Sequence, residues 1–322
     1  MTRILTGIQP SGSLHWGNFF GAIRPMISAQ EQGNEMFFFI ADLHAFTTVR
    51  DPETFRKNQK NILLDYLALG LDPEKSLFWR QSDVSAHSEL AWFLMCLAPL
   101  GMLERAHSFK DKKAKGLETN AGLFTYPMLM AADILLYDAD QVPVGKDQKQ
   151  HVEMARDIAQ KWNTQFGEVF HLPEPKIAKE VQTIPGLDGQ KMSKSYGNTI
   201  EIFADEKVLQ KKILSIKTDS IPLGEPIDPE SCPVFAFHRL FENPNLKTLE
   251  RQYKSGEIGF GASKKQLFAL VWEYFSEARQ KRAKLEKDFA SVEKIMQAGA
   301  EKAAAIAEKK LEQVKKSIGI SQ

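Results

Sequence analysis

Thr6-Gly7-Ile8-Gln9-Pro10-Ser11-Gly12-Ser13-Leu14-His15-Trp16-Gly17-Asn18 closes a run of strand formers that begins at Arg3 and leads into a segment of helical character. Strand, glycine-bearing turn and helix in that order is how a parallel sheet brings backbone close to a ligand, because glycine has no Cβ to hold it off. Unpaired amides at the start of such a helix favour an anion. A plain Pro-Ser-Gly turn, with Gly17 needed only for packing, fits the same residues.

A second stretch decides between these readings. Lys191-Met192-Ser193-Lys194-Ser195 follows Gly189-Gln190, so two lysines flank a serine. Lysine is a compact charge on a flexible stem, suited to successive phosphates of a nucleotide. Gly186, Gly189 and Gly197 bracket the segment and predict a loop free to close on departing pyrophosphate. Closure of that kind stabilises charge that develops only in the transition state. Taken alone the segment also reads as a solvated Lys/Ser loop; two phosphate-handling motifs in one chain argue against that.

Outward from these motifs, Arg3 to Ile8, Met36 to Ala41, Leu77 to Trp79 and Gln141 to Val144 read as strands separated by amphipathic helices. That alternation predicts an α/β fold around a parallel sheet up to about Asn163. Pro52 to Leu69 reads as a helix with Asp51 as N-cap and Gly70 as stop, and Glu89 to Leu100 as another. Past Tyr196 strand signals fade. Helical periodicity takes over from Asp205 to Ile216 and from Ser263 onward, with a proline-rich extended connection over Thr218 to Pro233. Ala290 to Ile318 reads as a solvent-facing terminal helix, and Pro25 is out of place in the helix expected after Gly17.

The chain has 322 residues, 43% of them hydrophobic, and a net charge of +1, so any RNA must be met by a local patch and not by bulk charge. Ser108 to Gly116, with four lysines, is one such patch or simply a solvated loop. Cys96 and Cys232 are far apart without clustered histidines, which removes a zinc site or disulfide framework and predicts two buried thiols. No run approaches membrane-spanning length and the first residues lack a signal pattern, so a cytoplasmic protein is expected. Leu90 to Leu103 is apolar enough to need cover on most sides, from a core or a second subunit.

If Pro127 begins a helix, Tyr126, Met130 and Asp133 share one of its faces. Apolar groups around one carboxylate suit an aromatic ring with a single N–H donor, although a core face with a surface carboxylate has the same spacing. His44 follows the second strand and reads equally well as pocket lining or as a structural histidine.

The first motif resembles the HIGH signature and the second matches the KMSKS signature of the class I aminoacyl-tRNA synthetases. The wording around both, with Tyr126-Pro127-Met128-Leu129-Met130-Ala131-Ala132-Asp133-Ile134-Leu135, resembles the tryptophan-activating branch. That resemblance implies a Rossmann-like catalytic domain over 1–200, with a dimer-forming insertion about 85–120 and the KMSKS loop at 191–195. A smaller all-helical anticodon-binding domain over 201–290 and a C-terminal helix over 291–322 would follow.

It further implies that Gln9, Pro10, Ser11, Gly17, Asn18, Gly145, Lys146, Asp147 and Ile184 meet ATP together with Lys191, Met192, Ser193, Lys194 and Ser195. Gly17 would make room for the adenine and Asp147 would suit the ribose. Asp133, Met130, Tyr126, Gln148 and His44 would receive tryptophan, Asp133 accepting the indole N–H. Lys191, Lys194, Ser193 and His15 would serve the chemistry. Magnesium is expected on the polyphosphate with no protein ligands, and tRNA(Trp) and a second copy of the chain are the expected partners. Leu5 stands where some relatives carry an aromatic residue, and Lys146 where an acidic one is usual. A tyrosine-activating relative, a small nucleotidylyltransferase and a catalytically silent tRNA-binding paralogue are the alternatives.

Overall fold

The structure is a computed structural model and describes residues 2–106, 109, 120–145, 148–177 and 184–320. Five parallel strands, β1 (Arg3–Ile8), β2 (Glu35–Ile40), β3 (Ser76–Arg80), β4 (Gln141–Val144) and β5 (Glu174–Ile177), form one sheet in the order β3-β2-β1-β4-β5. The chain builds outward from β1 to one edge and then returns to build the other. A topological switch therefore lies between β1 and β4, at whose carboxyl ends such sheets bind ligands.

Both faces of the sheet are covered, so the central strands are largely apolar and their side chains are sorted by parity. Ile4, Phe38, Ile40 and Phe78 enter one core, whereas Leu5, Phe37, Phe39 and Trp79 enter the other. The first core also takes Trp16, Tyr66, Phe235, Phe237, Leu267 and Met296, so the helical part after residue 200 shares its interior with the sheet.

The helical segment after β1 is interrupted. After β1 come α1 (Trp16–Asn18), a π-helical turn (Phe19–Ile23) and α2 (Arg24–Glu31). Pro25 thus stands in the first turn of α2, where its missing N–H costs little, and the widened turn before it absorbs the change. Next are α3 (Asp42–Ala45) and α4 (Pro52–Ala68), the latter capped by Asp51, which accepts from the Thr54 amide at 2.8 Å.

α5 (Ala86–Leu97) and α6 (Leu100–Glu104) lie beyond β3. α5 buries Leu90, Ala91 and Leu94 but leaves Trp92 62% exposed, and Cys96 is also exposed. One stripe of the helix reaches the core; the expectation of two buried thiols holds for Cys232 alone.

α7 (Ala121–Leu135) and α8 (Lys149–Phe166) flank β4. α7 begins six residues before the predicted start at Pro127: the Asn120 side chain accepts the Leu123 amide, and burial of Leu123, Met128, Ala131, Ala132 and Leu135 outweighs an internal proline. The remaining helices are α9 (Glu206–Leu214), α10 (Pro233–Leu240), α11 (Leu246–Ser255), α12 (Phe260–Tyr274), α13 (Ser276–Lys287) and α14 (Phe289–Ser317).

α14 is not a wetted appendage. Its small-residue stripe, Gly299, Ala300, Ala303 and Ala307 continuing to Leu311 and Val314, is buried in the sheet's second core. A Cβ on Gly299 would stand 1.9 Å from the carbonyl oxygen of Phe78 in β3, so glycine there lets helix and strand backbones touch. Alanine periodicity looks the same on a surface as against a sheet, which is why the sequence pointed outward.

Candidate active site

β1 delivers the first motif to the switch point. His15 caps α1: its Nδ1 accepts the Asn18 amide at 3.3 Å while Asn18 Oδ1 accepts the His15 amide at 3.1 Å. This reciprocal box fixes the imidazole with Nδ1 as acceptor, leaving Nε2–H as the ring's donor. Burial, then the charge of Lys194, push His15 down to about 4 against the opposing pull of Glu201, so at neutral pH it is uncharged. An uncharged ring can offer a hydrogen bond and not a charge. Gly12 takes φ +104°, and the Ser11 amide turns back to the Gln9 carbonyl at 2.8 Å, closing the Gln9-Pro10-Ser11 turn.

The second motif folds down onto the first. The Met192 amide donates to the Ile184 carbonyl at 2.8 Å, and the buried Met192 places its Sδ 3.3 Å from the Gly17 amide. Lys194 Nζ donates to the Ser11 carbonyl at 3.1 Å, and burial holds this ammonium below its ordinary value. Ser193 accepts the Ser195 amide at 3.3 Å, starting a tight turn over Lys194–Tyr196. Lys191 is exposed. Gly17 is flanked by the His15 ring and Met192 Cβ, so in this structure its missing side chain admits the second motif where an adenine was expected.

Gly189 and Gly197 take φ +81° and +64°, so glycine freedom shapes part of this loop, and one side chain ties the rest together. Asn198 Oδ1 accepts the Ser193 amide at 2.8 Å while its Nδ2 donates to Asp188 at 2.7 Å and to the Lys191 carbonyl at 3.1 Å. A Cβ on Gly186 would lie 2.3 Å from that Asn198 side chain, so Gly186 makes room for the pin that holds the lysines. The segment beyond is stitched back to the first motif by Trp16 N–H to Ile200 and Ile202 N–H to Leu14, both at 3.0 Å.

β4 ends beside the same crevice. The Gln148 amide donates to the Gly145 carbonyl at 3.0 Å as α8 begins; Lys146 and Asp147, like the lysine-rich stretch 110–116, lie outside the described residues. Tyr126, Met130 and Asp133 do share a face of α7. The Tyr126 hydroxyl bonds His151 Nε2 and its ring meets His44 edge-on at 6.0 Å, while Met130 is half-buried.

Asp133 is 1% exposed. Its Oδ1 accepts from Gln81 Nε2 at 2.7 Å and His87 Nδ1 at 2.7 Å; its Oδ2 accepts from His44 Nε2 at 2.9 Å. Burial alone would raise this carboxyl, but the bonds from His44 and His87 overcome it and hold it at about 2. An ionised carboxylate accepts and never donates. Three donors already answer most of its acceptor positions, and only a further N–H or O–H could add to them.

The profile of the tRNA synthetases class I (W and Y) matches residues 1–276. The chain is 50% identical over 322 residues to the tryptophan–tRNA ligase of Fusobacterium nucleatum, covering 99% of this chain and 98% of that one. It is 51% identical over 319 residues to the Campylobacter jejuni ligase, covering 99% and 100%. The crystal structure of tryptophanyl-tRNA synthetase from Campylobacter jejuni, complexed with ADP and tryptophan, superposes with a TM-score of 0.95, covering 99% of this chain and 100% of that one. The chain belongs to the class I tRNA synthetases of the W and Y type.

Within this synthetase three further residues bear on the site: Gln81, His87 and Asn198. Gln81 was within reach of sequence reasoning, since Gln81-Ser82-Asp83 directly follows β3 at the end of the sheet where ligands gather. Asp42 ties that turn to α3, accepting Ser82 N–H at 3.0 Å and Gln59 Nε2 at 2.8 Å, and so sets Gln81 opposite His44. Two basic residues of the helical part are engaged in ion pairs, Lys212 with Glu201 at 2.6 Å and Arg239 with Glu230 at 2.5 Å.

Proposed function

We infer that the chain joins L-tryptophan to tRNA(Trp) in two steps, as the full-length likeness to tryptophan–tRNA ligases supports. In the first, the tryptophan carboxylate attacks the α-phosphorus of ATP; the bond to the β-phosphate oxygen breaks, giving tryptophanyl-adenylate and pyrophosphate. In the second, a ribose hydroxyl of the tRNA terminus takes the acyl group and AMP leaves.

The observation that carries this reading is the closure of one nucleotide signature on the other, Lys194 of the second reaching Ser11 of the first at the switch point. No protein nucleophile is needed. Lys194 and Lys191 gather charge on the departing diphosphate, Ser193 orders the turn that carries them, and His15 adds an uncharged donor. Gln9, Pro10, Ser11, Asn18, Gly145, Asp147 and Ile184 frame the nucleotide in this reading, and Gln148 meets the amino-acid backbone. Asp133 takes the indole N–H through the remaining acceptor position of Oδ2, with Met130, Tyr126 and His44 around the ring. Magnesium is expected on the polyphosphate, where it would supply charge neutralisation.

The outward Trp92 and Leu100, 62% and 70% exposed, suit a contact with a second copy, and we assign the chain to a homodimer. The helical region 201–290 is assigned to the anticodon and the whole enzyme to the cytoplasm, where charged tRNA is used. The test is exchange of labelled pyrophosphate into ATP, run with each of the twenty amino acids in turn. Exchange with tryptophan alone is expected; exchange with tyrosine, or with none, overturns the reading.

A further inference from the structure

Asp133 does not stand alone in its pocket; it ends a buried line of hydrogen bonds that runs away from the ligand side. His87 Nδ1 is 2.7 Å from Asp133 Oδ1, and His87 Nε2 is 2.9 Å from the Tyr137 hydroxyl. Both His87 and Tyr137 are 0% exposed. Tyr137 is walled in by Trp79 and Phe37, with ring centroids 5.0 and 5.6 Å away. Neither residue has a part in the mechanism above.

Proton inventory makes the arrangement directional. A neutral imidazole has one N–H, and which nitrogen carries it is set by the bond the other makes. Asp133 can only accept and so draws the His87 proton to Nδ1; Tyr137, donating its hydroxyl hydrogen to Nε2, holds it there. With His87 and Gln81 both donating to Oδ1 and His44 to Oδ2, three of about four acceptor positions are filled. The vacant one is on Oδ2. In the other tautomer a lone pair on Nδ1 would oppose the carboxylate, which would turn or take up a proton and could no longer present a fixed acceptor.

We propose that Tyr137 and His87 are positioning residues for ring recognition: by fixing the His87 tautomer they saturate Oδ1 and leave one aimed lone pair of Asp133 for the N–H of the amino-acid side chain. This rests on the assignment of Asp133 to the indole, and extends it to two residues that never touch the ligand.

The experiment compares kcat/KM in pyrophosphate exchange for tryptophan and for its benzothiophene analogue, in which sulfur replaces the N–H. Wild type should favour tryptophan. Tyr137→Phe keeps the ring and loses the donor; the ratio should fall on the order of tenfold through the KM for tryptophan, with kcat and the KM for ATP little changed. His87→Asn places an amide N–H where Nδ1 stands and has no tautomer to lose, so it should retain the ratio, and adding Tyr137→Phe to it should change nothing further. His87→Leu, which takes the donor away outright, should lose the ratio at least as far as Tyr137→Phe.

An unchanged ratio in either Tyr137→Phe or His87→Leu overturns the proposal. So does a drop in the double variant equal to that in Tyr137→Phe, since tyrosine would then act by packing alone. If wild type shows no tryptophan-dependent exchange, the functional reading itself has failed; if it does and the ratios stay put, only this inference has.

Discussion

Replacing Gly299 with alanine sets two well-known effects against each other. Alanine in a helix interior is favoured over glycine by about 1 kcal/mol, so helix propensity alone makes Gly299→Ala stabilising. The contact says otherwise. The new Cβ would lie 1.9 Å from the Phe78 carbonyl oxygen and 2.8 Å from its carbon, and both are backbone, which no rotamer change can move aside. Relief requires α14 to lift from β3 by about 1 Å or more, loosening Met296, Ala300, Ala303 and Ala307 in an interior packed to crystal density.

Overpacking of this kind costs about 1–3 kcal/mol or more, and here it is relieved only by moving a whole helix. A net loss of about 2 kcal/mol is expected after the propensity gain. Equilibrium denaturation followed by circular dichroism measures it. Because β3 leads directly to Gln81, the same variant should raise the KM for tryptophan while leaving that for ATP nearly unchanged. A variant more stable than wild type by about 1 kcal/mol would refute the argument, since only propensity would then have counted.

Three other outcomes are expected. Lys194→Ala should slow adenylate formation by about 10² to 10³ in single-turnover assays while tryptophan affinity, read by fluorescence, changes little; equal losses would contradict a transition-state role. Asp133→Asn puts an amide among the donors of Gln81, His44 and His87, and should cost tryptophan binding about 2–3 kcal/mol by calorimetry, with ATP binding kept. Burial, opposed by Arg282 at 2.7 Å, raises Asp65 from an ordinary 3.8 to about 6. A carboxyl raised in the folded state contributes stability in full below about 3.8 and loses it as pH climbs through about 6. Stability of wild type relative to Asp65→Asn should therefore decline across that window, by at most about 3 kcal/mol, and a flat difference between pH 4 and 7 would count against the buried carboxyl.

What the sequence could reveal follows from how local each signal is. β1 and β4 lie where their apolar runs predicted, and Asp51 caps α4, because strand burial and capping depend on neighbours along the chain. β5 escaped notice: Glu174-Pro175-Lys176-Ile177 carries a proline and, among the described residues, pairs only with β4 at the sheet's edge, where proline is tolerated. The carboxylate of Asp133 was visible, but its partners come from α3, the turn after β3 and α5, and no local pattern links three such distant segments. Asn198 was hidden for a similar reason. It sits just past a motif whose lysines draw attention, yet it is the side chain that ties the loop together.

The close packing of α14 on β3 also bears on the order in which the molecule comes into being. On the ribosome, at about 5–20 residues per second, the strands and the pocket emerge well before the helix that must lie against Phe78. Until then the outer flank of β3, with Trp79 and the inward side of α5, is left uncovered and open to misassociation. The late arrival of α14 thus completes the sheet, and nascent chains halted before Phe289 should be the ones that chaperones hold.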